Sequence, residues 1–208
     1  MALTKISNQS LSSITSLPAT LPAGALTLLS TQTASSSASI SFTSGLDSTY
    51  DSYVFKFINI HPQTDDTSFS FQVSTDGGSN YNTTITSSSS HAYHAEADND
   101  TNLRYWLDHD QAQGTSFQNL MLRVSNDDDY GHVGTLQIFN PSSTTFVKHF
   151  ISRLQTVYYY DGGIANAGYS MDDYIAGYAN TTSAINAVQF KMTSGNIDNG
   201  IIKLYGVG

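Results

Sequence analysis

The sequence predicts an antiparallel all-β protein, a jelly-roll or a related β-sandwich, that begins with an extended N-terminal arm. Its 208 residues include sixteen Asp but a single Glu, Glu96. Asp favours turns and caps, whereas Glu favours helix interiors. From about residue 25 onward apolar residues recur at every second position, and turn clusters separate roughly a dozen such segments. This pattern favours two stacked sheets, each with one face inward, and a closed barrel is the alternative.

The first 24 residues differ from the rest of the chain. Two prolines near residue 20 would stop any helix there, and the segment is too short to be a stable isolated helix in water. We interpret residues 1–24 as an anchoring arm whose apolar stripe needs another protein surface, with a disordered terminus as the alternative. The stripe consists of Leu3, Ile6, Leu11, Ile14, Leu17 and Leu21. Residues 25–208 then form the β-sandwich domain.

The β-strands can be assigned in order along the chain. Ser39–Thr43 and Tyr53–Ile60 come first, and Ser68–Ser74 alternates Phe and Val with polar residues. Turn residues 75–80 then predict a hairpin in which Tyr81–Thr86 pairs with the preceding strand. Further strands are expected at Leu103–Leu107, Phe117–Ser125, Val133–Asn140, Thr145–Ile151, Thr156–Tyr160, Gly168–Ala176, Ala184–Thr193 and Ile201–Tyr205.

The composition excludes several classes of protein. The net charge is −9 with only three Arg, which argues against nucleic-acid binding because phosphates demand clustered cations. The chain has no Cys, so disulfides, thiolate metal sites and a cysteine nucleophile are absent. The chain contains no run of about 18 apolar residues, so the sequence does not predict membrane insertion. The first ten residues do not resemble a secretion signal.

Two polar segments were weighed as candidate sites. Ser74–Tyr81 resembles an Asp-box, with Tyr81 where Trp is usual, and since one copy is present we interpret it as a structural hairpin turn. The segment His91–Asp110 gathers three His with several carboxylates. A solvated loop is the interpretation there, and a weak Ca²⁺ or Zn²⁺ site is the alternative, because no ligand spacing is complete. We assign neither a metal nor a cofactor.

The sequence favours a binding or structural role over catalysis. A G-x-S-x-G elbow is absent, and the one Glu lies in a polar segment, so neither a hydrolase triad nor a glycosidase pair can be assigned. Exposed Tyr and Trp beside Asp suit sugar stacking or a protein interface, and burial within the sheets is the alternative. The candidate contact residues are Tyr105, Trp106, Tyr158, Tyr159 and Tyr160.

Both ends of the chain resemble proteins of tailed-phage virions. Met1–Ile6 looks like the start of phage fibre and related virion proteins. Ala184–Phe190 and Gly200–Gly206 resemble the closing hairpin of a phage jelly-roll domain, including its Ser-Gly and final Leu-Tyr-Gly. Asp51–Phe55 and Ser74–Gly78 are also similar to this group.

The resemblance implies a non-enzymatic virion component, either a capsid decoration or head-fibre protein or a piece of a tail fibre. Such proteins dock to capsid or tail proteins through their N-terminal arm, are often homotrimers, and present the β-domain at the virion surface. A carbohydrate-binding domain that recognises a host surface glycan is the second hypothesis, and a glycan hydrolase is the third.

Overall fold

The computed structural model describes residues 26–159 and 168–208, with only the backbone at Tyr159. Within these ranges the protein is all-β, as the sequence predicts, and every strand pair is antiparallel. The strands are β1 (Thr27–Ser37), β2 (Ile40–Phe42), β3 (Ser52–Pro62), β4 (Thr67–Ser74), β5 (Ile85–Ala95), β6 (Thr101–Tyr105), β7 (Gln118–Val124), β8 (His132–Phe139), β9 (Lys148–Tyr159), β10 (Gly168–Ala179), β11 (Ala187–Met192) and β12 (Ile197–Val207).

The twelve strands of the described residues form one nearly barrel-shaped sheet. Neighbouring strands follow the order β1-β12-β3-β8-β9-β7-β4-β11-β2. The two ends of this path come together where the Gln32 side-chain amide donates to the Ser41 carbonyl oxygen at 2.6 Å. The join between β9 and β7 is narrow, because a single residue pair, Val124 with Tyr158, connects them. The path therefore curls until its two edges meet.

Three strands form an extension that leaves this path at β9. β10 pairs along its whole length with both β9 and β5, and β6 pairs with the far edge of β5. The extension therefore adds β10, β5 and β6, in that order, to the sheet beyond β9. Since alternate residues of a strand face the same side, one face of the extension looks inward, toward β7.

A group of phenylalanine rings from strands on opposite sides of the curled sheet lies within the core. Period-two alternation places Phe55 and Phe57 of β3 inward, where they meet Phe190 of β11 at centroid distances of 5.1 and 5.2 Å. Phe42 and Phe69 complete the group around Phe190 at 6.2 and 5.7 Å. All five side chains are buried. Most of these contacts are edge-to-face, an arrangement that aromatic rings favour.

Three sequence-based predictions about strands are wrong. Tyr81–Thr86 is not the hairpin partner of β4, whose partners are β7 and β11. Thr145–Ile151 and Thr156–Tyr160 are not two strands, because β9 is continuous from Lys148 to Tyr159. The closing segment is not a hairpin, because β11 and β12 have different partners on opposite sides of the core. Local turns and sequence patterns therefore did not determine where every strand ends or which strands pair.

The predicted N-terminal arm lies outside the described residues. Its stripe of Leu3, Ile6, Leu11, Ile14, Leu17 and Leu21 therefore remains a prediction. The first strand of the described residues, β1, begins at Thr27. In the part of the chain that is described, no helix has the length and apolar character needed to cross a membrane.

Candidate functional site

A pocket of about 380 Å³ lies on the inner face of the β9-β10-β5-β6 extension. The strand register arranges side chains in rows across this face, and one row runs from Leu154 through Asp173 and His91 to Arg104. Neighbouring rows supply most of the remaining wall. The lining residues are Tyr93, Asp100, Arg104, Trp106, Arg123, Tyr158, Tyr169 and Met171.

Four aromatic side chains form the walls of the pocket. The Tyr169 ring lies 5.6 Å from the Tyr93 ring and 5.8 Å from the Tyr158 ring, measured between centroids. Trp106 follows β6 directly, and its backbone N–H donates to the Ser89 carbonyl oxygen at 3.0 Å. This bond continues the β5–β6 pairing by one residue and fixes where the indole stands. Tyr93 and Trp106 are half-buried and present ring surface to the pocket, whereas Tyr158 and Tyr169 are buried and support that wall.

Arg104 places a guanidinium between these rings. Its carbon Cζ lies 4.8 Å from the Trp106 ring centroid and 5.8 Å from the Tyr93 centroid. Its Nε donates a hydrogen bond to Nε2 of His91 at 3.1 Å. Among the described residues, no carboxylate lies within ion-pairing distance of this side chain. The cation is therefore oriented by neutral groups and is not neutralised by an acid.

Arg123 contributes a second guanidinium with a different environment. It sits in β7 at a positive φ of 48°, where the register between β4 and β7 is irregular. Its Nε and Nη2 donate to the two carboxylate oxygens of Asp66 at 2.7 and 3.2 Å. Its Cζ also lies 5.1 Å from the Tyr158 ring centroid. The positive charge of Arg123 is thus balanced by its bidentate ion pair with Asp66.

His91 stands behind Arg104 and is fully buried in β5. Burial lowers its pKa to about 4, and the positive charges of Arg104 and His109 act in the same direction. The imidazole is therefore neutral at pH 7. Because its Nε2 accepts from Arg104, the ring proton is on Nδ1. The indole of Trp106 packs over it with ring centroids 4.3 Å apart.

Asp173 is the most unusual polar group beside the pocket. It lies directly opposite His91 in the strand register and is only 1% exposed. Its carboxyl oxygens make no ordinary hydrogen bond within the described residues. Burial raises its pKa well above the usual value, Asp172 adds to this, and the Thr156 hydroxyl offsets it only in part. The carboxyl group is therefore much harder to ionise than one at the surface.

The sequence-predicted contact residues have different outcomes. Trp106 and Tyr158 line the pocket together, although Tyr158 is largely buried. Tyr105 faces the opposite side of β6, is 48% exposed, and donates its hydroxyl proton to Asp110. The side chain of Tyr159 and the whole of Tyr160 lie outside the described residues. Only the pairing of β5, β6, β9 and β10 brings Trp106 and Tyr158 into one site.

Sequence reasoning missed half of the aromatic wall and both arginines. Tyr93 lies in a segment that we interpreted as a solvated loop, and this interpretation is wrong because residues 91–105 include the end of β5 and all of β6. The connecting turn, with Asp98 and Asp100, and the whole of β6 are nevertheless exposed. The apolar residues Ala92 and Tyr93 are adjacent, so this segment carries no clear two-residue alternation that could have indicated a strand.

The predicted Asp-box segment is a structural turn, as we inferred, although it does not close a hairpin. Asp76 accepts hydrogen bonds from the Ser74 hydroxyl at 2.6 Å and from the Asn80 backbone N–H at 2.9 Å. These bonds lower the pKa of Asp76 to about 2. Gly77 and Gly78 take positive φ values of 75° and 90°.

A larger depression, of about 600 Å³, lies beside β3 and β12. Its lining includes the carboxylates of Asp128, Asp129 and Asp198 with the imidazole of His61. It lacks the paired rings and the unneutralised cation of the smaller pocket. Throughout residues 26–159 and 168–208, no group of three His, Asp or Glu side chains could hold a metal ion. The aromatic pocket is therefore the stronger candidate site.

Comparison of the chain with protein-family models, with curated proteins and with solved structures finds no match in any of the three. The interpretation of the site therefore depends on its geometry.

Proposed function

We propose that this chain is a non-enzymatic structural component of a tailed-phage virion, docked to capsid or tail proteins through residues 1–24. The observation that carries the proposal is an all-β body that fills its core with its own side chains, joined to an N-terminal segment with an apolar stripe. The resemblance of both chain ends to virion proteins supports it. We further propose a jelly-roll sandwich for the curled sheet, a homotrimer as the assembly, and the virion surface as its location.

Deleting residues 1–22 tests the docking role. We expect the shortened protein to remain folded, because the core cluster consists of residues from Ala34 onward, and to be lost from purified particles. Particle incorporation is measured by quantitative mass spectrometry, and folding by far-ultraviolet circular dichroism and a thermal melt. A full-length variant carrying Leu11→Ser and Ile14→Ser is the companion, and it should also be depleted. Incorporation of the deletion variant at the wild-type level would show that the arm does not anchor the protein.

A second candidate function is recognition of a host surface glycan, and the pocket favours it specifically. Four rings and two guanidiniums converge on one concave site, and Asp100 supplies carboxylate oxygens at its wall. Ring faces of this kind pack against the apolar faces of sugars, while carboxylates accept hydrogen bonds from sugar hydroxyls. The volume lies within the range of about 300–1,000 Å³ that small-molecule sites occupy.

Substituting Trp106 by alanine tests glycan recognition. Because buried aromatic anchors dominate binding energies, we expect the variant to bind glycans of an array at least about tenfold more weakly than the wild type. Tyr105→Ala is the matched control, since that ring lies on the other face of the same strand, and binding should change by no more than about twofold. Absence of binding by the wild-type protein to every bacterial glycan tested would refute this second function.

A further inference from the structure

We propose that the pocket binds a carboxylate-bearing sugar, such as a uronic or sialic acid residue, with the acid paired to Arg104 and the sugar ring against the aromatic wall. This inference rests on the second function proposed above and adds the chemical class of the ligand.

Arg104 has no acidic partner among the described residues. Of the three arginines in the chain, Arg104 is the one with no carboxylate within ion-pairing distance in the described structure. Its Nε is engaged by His91, and the two terminal nitrogens make no hydrogen bond within the described residues. Two parallel N–H groups of a guanidinium match the two oxygens of a carboxylate. Arg104 is therefore prepared to receive an anion.

The side chain of Arg104 is also held in place by its neighbours. The Trp106 and Tyr93 rings flank its plane, and the buried His91 fixes its Nε, so that little conformational freedom is lost when a ligand binds. A carboxylate in place of His91 would fix the side chain equally well but would cancel its charge. A neutral imidazole orients the cation and leaves the charge for the ligand.

Arg123 provides the contrast within the same pocket. The Nε and Nη2 groups of Arg123 already donate to Asp66 in a bidentate pair, so Arg123 adds little net charge to the pocket. The pocket therefore has one carboxylate-binding position and not two. This favours a ligand that carries a single acid per recognised unit over a polyphosphate.

The aromatic walls distinguish a sugar acid from a bare anion. Tyr93 and Trp106 are half-buried and present ring surface next to the guanidinium, and the buried Tyr169 and Tyr158 rings pack behind Tyr93. A small inorganic anion would leave these faces uncovered, whereas a pyranose ring covers them. Asp100, in the same wall, would repel a second acid but accept sugar hydroxyl protons.

The test uses isothermal titration calorimetry of the full chain with oligogalacturonate and with its methyl ester, which keeps the sugar rings but carries a methyl group on each carboxyl and no charge. We expect the acid to bind at least about tenfold more tightly than the ester, the advantage of a charge-assisted bidentate contact. Arg104→Gln should remove this advantage and leave ester binding within about twofold. Arg153→Gln is the control, because it makes the same charge change at an exposed arginine paired with Asp172; it should bind the acid as the wild type does.

The outcomes separate the two levels of the proposal. Equal affinity for acid and ester, or unchanged acid binding by Arg104→Gln, overturns the carboxylate assignment while glycan recognition stands. Binding of inorganic phosphate without any uronate or sialate binding indicates a general anion site and overturns the sugar assignment. If neither charged nor neutral glycans bind, the glycan function fails together with this inference. A sialic acid and its methyl ester, titrated in parallel, distinguish the two classes of sugar acid.

Discussion

Replacing Phe190 with alanine is expected to lower the free energy of unfolding by about 3–5 kcal/mol, the range typical of a buried phenylalanine reduced to alanine. Phe190 is fully buried, and four other phenylalanine rings lie within 6.2 Å of it, centroid to centroid. These rings come from β2, β3 and β4, so the cavity would open where both sides of the curled sheet meet. Rings held by several strands cannot collapse easily to fill it.

The measurement is equilibrium unfolding in guanidinium chloride at pH 7, followed by tryptophan fluorescence and circular dichroism. Phe146→Ala is the matched control, because that ring is 69% exposed and its removal should change stability by no more than about 0.5 kcal/mol. A loss below about 1 kcal/mol for Phe190→Ala would contradict the core packing described above.

Acidification from pH 6.5 to pH 4 is expected to destabilise the protein, with His132 alone accounting for about 3 kcal/mol. His132 is fully buried, and burial lowers its pKa to about 4. Its Nδ1 accepts from the Val157 backbone N–H at 3.4 Å, while its Nε2 donates to the Ser125 carbonyl oxygen at 3.3 Å. Protonation would place a second N–H against that of Val157.

The sign follows from the direction of the pKa change. Because the folded state favours the neutral imidazole, the stabilisation is complete above the unfolded pKa near 6.5 and is lost as the pH falls toward 4. His91 acts in the same direction, since its pKa is also lowered to about 4. The raised pKa of Asp173 acts in the opposite direction, and comparison between variants cancels its contribution.

His132→Gln should therefore flatten the dependence of unfolding free energy on pH between 6.5 and 4 by about 3 kcal/mol, in addition to lowering stability at neutral pH. His149→Gln, at an exposed position of β9, should leave the wild-type slope unchanged. Urea unfolding at half-unit pH intervals provides the measurement. Parallel slopes for the wild type and His132→Gln would show that His132 is not protonated on unfolding in this range.

The class of structure and many of the buried residues were predictable from the sequence. Alternation identified Phe69, Phe71 and Val73 as one face of a strand, and all three are buried. Ile40 and Phe42 were likewise assigned to one face, and both are buried. These predictions succeed because the two-residue period of side chains is a property of each strand alone.

The candidate site could be predicted only in fragments. Trp106 and Tyr158 were identified as contact residues from their chemistry, but no local pattern indicates that they share a pocket or that Tyr105 faces away. Nor does any pattern show that Asp66 neutralises Arg123 while Arg104 meets a histidine. Those relations depend on which strands pair and on the register between them.

The amino-acid sequence by itself thus determined that the described residues are β-structure, where most of their strands lie, and which side of several strands is apolar. Only the tertiary structure decided that β4 pairs with β7 and β11, that β11 and β12 lie on opposite sides of the core, and that β6 and β9 converge on one pocket. The physical reason is that the hydrogen bonds between strands are the same for every pair. The choice among partners is therefore made by the burial of side chains that are distant in sequence.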